Sequence, residues 1–205
     1  MTKPAAVILA AGNSSRLGKP KQLLQLGDLM IIEHVLRNAR DFHCDPIILV
    51  LGHKFDEIFK KIQSELLEKV EVVFNPNYKD GMSSSIKTGL TRLGKDIPCF
   101  VILGDQPLID QDLLKKIWQK YLLSCKTIRP LFQGKPAHPV LLSPKDLRKV
   151  FWLSGDRGFN TMLKDTTTDV LEYEFVTDGY KFKDIDTIVD FKYIQTIYDN
   201  IERKR

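Results

Sequence analysis

The stretch Leu9-Ala10-Ala11-Gly12-Asn13-Ser14-Ser15-Arg16-Leu17-Gly18-Lys19-Pro20-Lys21 carries two glycines, three small polar residues and three cations directly after a short apolar run. Gly and Ala let a ligand approach the backbone, and successive N–H groups can form an anion-binding nest. Arg16, Lys19 and Lys21 can neutralise a triphosphate, arginine by bidentate bonds and lysine as a point charge. Five residues separate Gly12 from Gly18, and Pro20 follows Lys19. That spacing fits neither Walker A nor the dinucleotide G-x-G-x-x-G. Composition leaves two readings, a different phosphate loop or a polar turn.

A second candidate is Gly104-Asp105-Gln106-Pro107, directly after the apolar run Phe100–Leu103. A carboxylate at the carboxyl end of a central strand stands where open α/β sheets place their ligands, and binds a metal or a ribose hydroxyl there. The plainer alternative is a turn leading into a helix, although Asp110 already supplies that helix with a cap. In Asp184-Ile185-Asp186-Thr187, alternation puts both carboxylates on one face of an extended segment. Asp105 and Asp186 could converge on one Mg²⁺, which takes one or two carboxylates together with phosphate oxygens and water. Solvated acids at a strand end are the competing reading.

Gly81-Met82-Ser83-Ser84-Ser85 opens a helix with more hydroxyls than one N-terminus needs. One serine of the three is expected to cap it, leaving the others to meet a base or ribose. Gly89, inside the same helix, costs up to about 1 kcal/mol relative to alanine, which suggests close packing. Two turn-rich polar segments follow, one around His138 and one containing Asp156 and Arg157. They are candidates for holding a second substrate, although a lone histidine beside proline is often structural. No Ser/His/Asp constellation and no His/Cys metal cluster can be assembled.

The elements that must position these residues alternate. Ala5–Ala10, Pro46–Gly52, Val70–Phe74 and Pro98–Gly104 are short apolar runs, fitting parallel strands buried on both faces. Helical spacing appears after Asp28, read as an N-cap, at Leu29, Ile32, Leu36 and Ala39, and again from Phe55 to Leu66. It recurs after Asp110 and from Ile194 to Ile201. Leu131–Leu141 reads as two short strands around Gly134-Lys135-Pro136, an antiparallel excursion. The expected fold is a single α/β, Rossmann-like domain over 1–205, with a mostly parallel sheet and helices on both faces.

The chain has 205 residues, 43% hydrophobic and 28% charged, with a net charge of +5. This usage excludes a disordered chain, and no apolar run approaches the ~20 residues of a membrane span. A mild positive bias favours polyphosphate ligands. No basic stripe interleaved with aromatics points to nucleic acid. Three cysteines without C-x-x-C spacing, and no secretory signal, predict a cytoplasmic protein.

Taken in order, the Leu9–Lys21 loop, Gly81–Ser85, Gly104–Pro107, His138-Pro139-Val140, Gly155–Gly158 and Asp184–Thr187 resemble the MobA-like nucleotidyltransferases. The resemblance covers nearly the whole chain and is nearest to the molybdenum cofactor cytidylyltransferase branch. It implies transfer of CMP from CTP to the terminal phosphate of molybdopterin, with release of pyrophosphate. It also implies Mg²⁺ on Asp105 and Asp186, Arg16 and Lys21 on the phosphates, and a nucleotide site at Leu9, Ala10, Ala11, Gly12, Ser83, Ser84 and Gly104. The nucleotide part spans about 1–110. The acceptor part spans about 127–187 and includes His138, Asp156 and Arg157. Ala11, where guanylyl-transferring relatives carry Gly, points by resemblance to CTP. A client molybdoenzyme or its accessory protein is an implied partner. Two other readings stay open: transfer to a sugar or alditol phosphate, and a non-catalytic carrier or insertion chaperone. Ile188 stands where relatives carry Pro, and Phe159-Asn160 where they carry Ala-Arg, so departures gather in the acceptor half.

Overall fold

Ala5–Ala10 forms β1, buried along nearly its whole length, as a run of Ala, Val, Ile and Leu requires of a central strand. The computed structural model describes residues 3–94, 96–152 and 158–204. After β1 come the two-residue strands Gln25–Leu26 (β2) and Leu29–Met30 (β3), then Ile31–Asp41 (α1), Ile47–Leu51 (β4), Phe55–Lys61 (α2), Ser64–Leu67 (α3), Val70–Phe74 (β5) and Met82–Leu90 (α4). The second half runs Cys99–Leu103 (β6), Gln111–Ser124 (α5), Thr127–Phe132 (β7), Lys135–Pro136 (β8), Val140–Leu142 (β9), Pro144–Leu147 (α6), Gly158–Lys164 (α7), Val170–Glu174 (β10) and Ile188–Glu202 (α8).

The main sheet has the order β10-β7-β9-β6-β1-β4-β5, with β8 paired to β7. β1 lies parallel to both β4 and β6, in the registers Ala6↔Ile47 and Ala6↔Phe100. Only β9 and the short β8 run against their neighbours. The expected mostly parallel sheet with an antiparallel excursion is therefore what forms. Along β1, Ala6 and Ile8 face a core shared with Val35 and Leu36 of α1 and Leu113 and Ile117 of α5. Ala5 and Val7 face the opposite core, with Ile86 and Leu90 of α4 and Phe159 and Met162 of α7. Helices thus cover both faces. On the α4 side the approach is close, since a Cβ on Gly89 would fall 2.4 Å from Val7 Cγ1.

Three local expectations differ. Asp28 does not cap α1: Gly27-Asp28 turns the β2–β3 hairpin, pairing Leu26 with Leu29, and the helix starts at Ile31. There the Glu33 carboxylate accepts the Met30 N–H at 2.8 Å. The stripe from Phe55 to Leu66 is two short helices, because Ile62 is extended between α2 and α3. No serine side chain caps α4, whose N-cap is Gly81 at φ 94°. The Asp110 carboxylate does cap α5, accepting the Leu113 N–H at 3.0 Å. Among the described residues no helix is long and apolar enough to cross a membrane. Cys44 and Cys99 are buried free thiols and Cys125 is exposed; burial pushes the Cys44 thiol up to about 12.

Candidate active site

From β1 the chain goes to β4 and β5 on one side, then crosses back to β6 on the other. Such a reversal of strand order opens a crevice beyond the carboxyl ends of the strands. A cavity of about 340 Å³ occupies that place, within the size range of small-molecule sites, about 300–1,000 Å³. Leu9, Ala10, Ala11 and Gly12 form one wall; Leu103, Gly104 and Asp105 form the next. Tyr78, Gly81, Met82 and Ser85 close it from the side of α4, and Lys21, Gln22, Asp184 and Asp186 complete it.

Two glycines set the shape. A Cβ on Gly104 would lie 2.8 Å from Ala10 Cβ, so β1 and β6 can end side by side only with hydrogen at that position. At Gly12 the corresponding space is open, leaving the backbone approachable. The loop beyond it is folded by Ser14, itself left-handed at φ 50°. Its Oγ accepts the Lys21 N–H at 3.0 Å, and its carbonyl accepts the Leu17 N–H at 3.0 Å. Gln22 is buried beneath the loop, its amide donating to Ala10 O at 2.7 Å.

These constraints bring Lys21 between two carboxylates. Its Nζ donates to Asp105 Oδ2 and, at 3.2 Å, to Asp186 Oδ1. Arg16, 66% exposed at the rim, pairs with the other Asp186 oxygen at 2.9 Å. Burial works against the Lys21 charge, yet the two carboxylates outweigh it and its pKa is raised. Asp184 is pushed up to about 6, by burial first and by the neighbouring Asp105 charge second. Gln106 opposes that shift, donating to Asp184 Oδ1 at 2.6 Å and to Phe182 O at 3.1 Å.

Asp105 and Asp186 already converge on one cationic atom, and both offer hard oxygen donors. That donor set fits a small divalent cation completed by phosphate oxygens and water. Among the described residues no group of three His, Cys, Asp or Glu side chains could hold a metal alone.

The other expected residues are distributed as follows. Ser85, not Ser83 or Ser84, lines the cavity. Ser84 Oγ donates to Gly81 O at 2.8 Å, and the buried Asn75 amide donates to Ser84 and Ser85 at 2.9 and 3.0 Å. His138 lies outside the cavity lining, its Nδ1 3.4 Å from Val101 O and its ring stacked on Phe159. Burial lowers its pKa to about 4. Asp156 and Arg157 lie outside the described residues. Asn160 accepts a 2.8 Å bond from the buried guanidinium of Arg129, which also pairs with Glu172 at 3.1 Å. Sequence reasoning gave no role to Gln22, Tyr78 or Arg129, and offered Ser85 only as one of three hydroxyls opening α4. Only Arg129 left a signal, as a charge inside an otherwise apolar strand.

The model of the MobA-like NTP transferase domain matches residues 6–170. The chain belongs to this family. Like other MobA-like proteins it is a nucleotidyltransferase. It is 34% identical to the molybdenum cofactor cytidylyltransferase of Escherichia coli K12 over 137 residues, 67% of this chain and 68% of that protein. Its fold matches the crystal structure of Rv0371c from Mycobacterium tuberculosis H37Rv with a TM-score of 0.83 and 27% identity, covering 95% of this chain and 98% of the other. A manganese complex of Rv0371c aligns with a TM-score of 0.80 at 24% identity, over 95% and 99% of the two chains, and so shares the fold.

Proposed function

We propose that this MobA-like chain transfers CMP from CTP to the terminal phosphate of molybdopterin. An acceptor phosphate oxygen attacks the α-phosphorus, the bond from that phosphorus to the bridging oxygen breaks, and pyrophosphate leaves with the electron pair. The observation that carries this reading is Lys21 held between Asp105 and Asp186 at the open end of β1 and β6. The similarity to the E. coli cytidylyltransferase supports the choice of nucleotide and acceptor.

In this reading the backbone from Leu9 to Gly12 and the side chains of Arg16 and Lys21 receive the triphosphate, and the Gly104 backbone lines the place of the nucleoside. Arg16 and Lys21 offset the charge that builds on the departing pyrophosphate. Asp105 and Asp186 hold Mg²⁺, which supplies Lewis-acid polarisation of the phosphoryl oxygens when bound. A phosphate nucleophile is anionic near neutral pH, so no general base is required. Ser85, beside Met82 and Tyr78, takes the nucleoside contact expected of Ser83 and Ser84. The Ala11 methyl narrows the space where a larger purine would sit, a modest source of selectivity. The acceptor is received by the region around His138, Asp156 and Arg157.

The test is pyrophosphate release with Mg²⁺ and purified molybdopterin, comparing CTP, GTP, ATP and UTP. Release with CTP above all others is expected. CTP binding without release would retain the nucleotide site and reject molybdopterin as acceptor. Preference for GTP would reject the role given to Ala11.

A further inference from the structure

The two loop cations expected to serve the triphosphate are both engaged, without it, by the two carboxylates expected to serve the metal. Lys21 Nζ contacts Asp105 and Asp186, and Arg16 takes the remaining Asp186 oxygen. The Lys21–Asp105 pair is well shielded, at 16% and 14% exposure, whereas Arg16 and Asp186 are open to solvent. These ion pairs join the 12–21 loop to the ends of β6 and the segment before α8. Lys21 and Arg16 thus offset the charges of Asp105 and Asp186, while Asp184 lines the same cavity as a third carboxyl group.

We infer that Lys21, assisted by Arg16, occupies the position of the divalent cation in the nucleotide-free protein, so that the cation enters as its complex with the nucleoside triphosphate. This rests on the assignment of Asp105 and Asp186 to the metal. The obstacle to a free cation is first steric. Mg²⁺ sits about 2.0–2.1 Å from its oxygen ligands, and an ammonium group already hydrogen-bonded to both carboxylates fills that space. It is also electrostatic, because the carboxylates that would attract a dication are already paired with Lys21 and Arg16, which repel it in a partly shielded pocket. A triphosphate removes both obstacles. It draws Arg16 and Lys21 onto its own oxygens, releases Asp105 and Asp186, and brings the ion with it. The substrate in this sense is the metal–nucleotide complex, and free metal is excluded by the loop that later grips the phosphates.

Mn²⁺ binding to the whole chain, read by loss of the free-ion electron paramagnetic resonance signal, tests this without turnover. Without nucleotide, the wild-type chain is expected to bind Mn²⁺ weakly, and Lys21→Met to bind it about tenfold more tightly. Lys21→Gln removes the charge but keeps two donors for the carboxylates, so it provides the same comparison if Lys21→Met does not fold. Adding Asp105→Asn to either variant should abolish the gain. Equal Mn²⁺ affinity in wild type and the folded Lys21 variants, weakened in all of them by Asp105→Asn, would overturn the exclusion while leaving the metal site in place. Affinity indifferent to Asp105→Asn in every background would instead overturn the metal assignment, and the inference with it.

Discussion

Gln106 and Asp184, seventy-eight residues apart in sequence, share a 2.6 Å hydrogen bond just behind the cavity. With the Ile185 N–H donated to Asp105 O at 3.3 Å, it ties the loop after β6 to the segment before α8. Asp105 and Asp186 sit on opposite sides of that tie, so their separation depends on it. The Gln106 amide also partly offsets the burial that raises Asp184.

Gln106→Glu places a second carboxyl group beside Asp184 and removes the donor. The loss of stability at neutral pH is expected to be about 1–3 kcal/mol, the cost of a buried polar group left without its partner. Adding Asp184→Asn returns a donor and should recover most of it. Urea unfolding of the two single variants and the double variant measures this as a coupling energy.

Asp105→Asn keeps the size of the side chain and removes its charge. Transfer should fall on the order of 10²-fold or more, as when a group that stabilises transition-state charge is lost. Nucleotide binding measured by equilibrium dialysis should persist. Unchanged pyrophosphate release would contradict the role given to Asp105.

Gly89→Ala puts a methyl group 2.4 Å from Val7 Cγ1 and 3.0 Å from Val50 Cγ2. Overpacking of this kind costs about 1–3 kcal/mol, against a helix-propensity gain of at most about 1 kcal/mol. The variant should therefore unfold earlier in urea. Val7→Ala in the same chain should return part of the loss, because it removes the methyl groups that collide.

His138 gains a proton near 6.5 in the unfolded chain but only near 4 in the folded one. The unfolded chain binds more protons between those values, so stability from the neutral imidazole is complete above 6.5 and lost as the pH falls to about 4. Asp184 acts in the opposite sense, its folded carboxyl staying protonated up to about 6 against 3.8 unfolded. His138→Gln should therefore be less acid-sensitive than wild type across this window, and Asp184→Asn more so. Denaturation midpoints between pH 4 and pH 7 distinguish the two.

β1 is legible in the sequence to the residue because a strand buried among other strands must be apolar end to end. The bounds of Val70–Phe74 are equally legible, but the expected burial on both faces is not met, since β5 is the sheet's edge and carries exposed Glu71 and Phe74. Asp105 could be named because it directly follows such a strand, and Lys21 because it is one of three cations in the loop after β1. Asp186 could be named from the alternation Asp184-Ile185-Asp186 and the family resemblance, since no strand adjoins it. The choice among Ser83, Ser84 and Ser85 was not legible, since it turns on the rotation of α4 about its axis. That rotation is set by how closely Gly89 meets Val7, a contact between distant segments. The break at Ile62 was hidden for a similar reason. The apolar spacing runs straight through it, while the Glu33 carboxylate reaches across from α1 to accept the Gln63 N–H at 2.9 Å.

The reversed strand β9 separates two tasks that share one sheet. Its register against β6 is fixed by Cys99↔Leu142, Phe100↔Leu141 and Val101↔Val140, all in the core. Because it runs backward, the chain enters it from the same edge at which β1 and β6 end. Residues 133–136, exposed and outside both that register and the cavity lining, can therefore change without disturbing either. A lineage built on this frame can change what it modifies while keeping how it handles a nucleotide, and the novelty needs only one exposed stretch of chain.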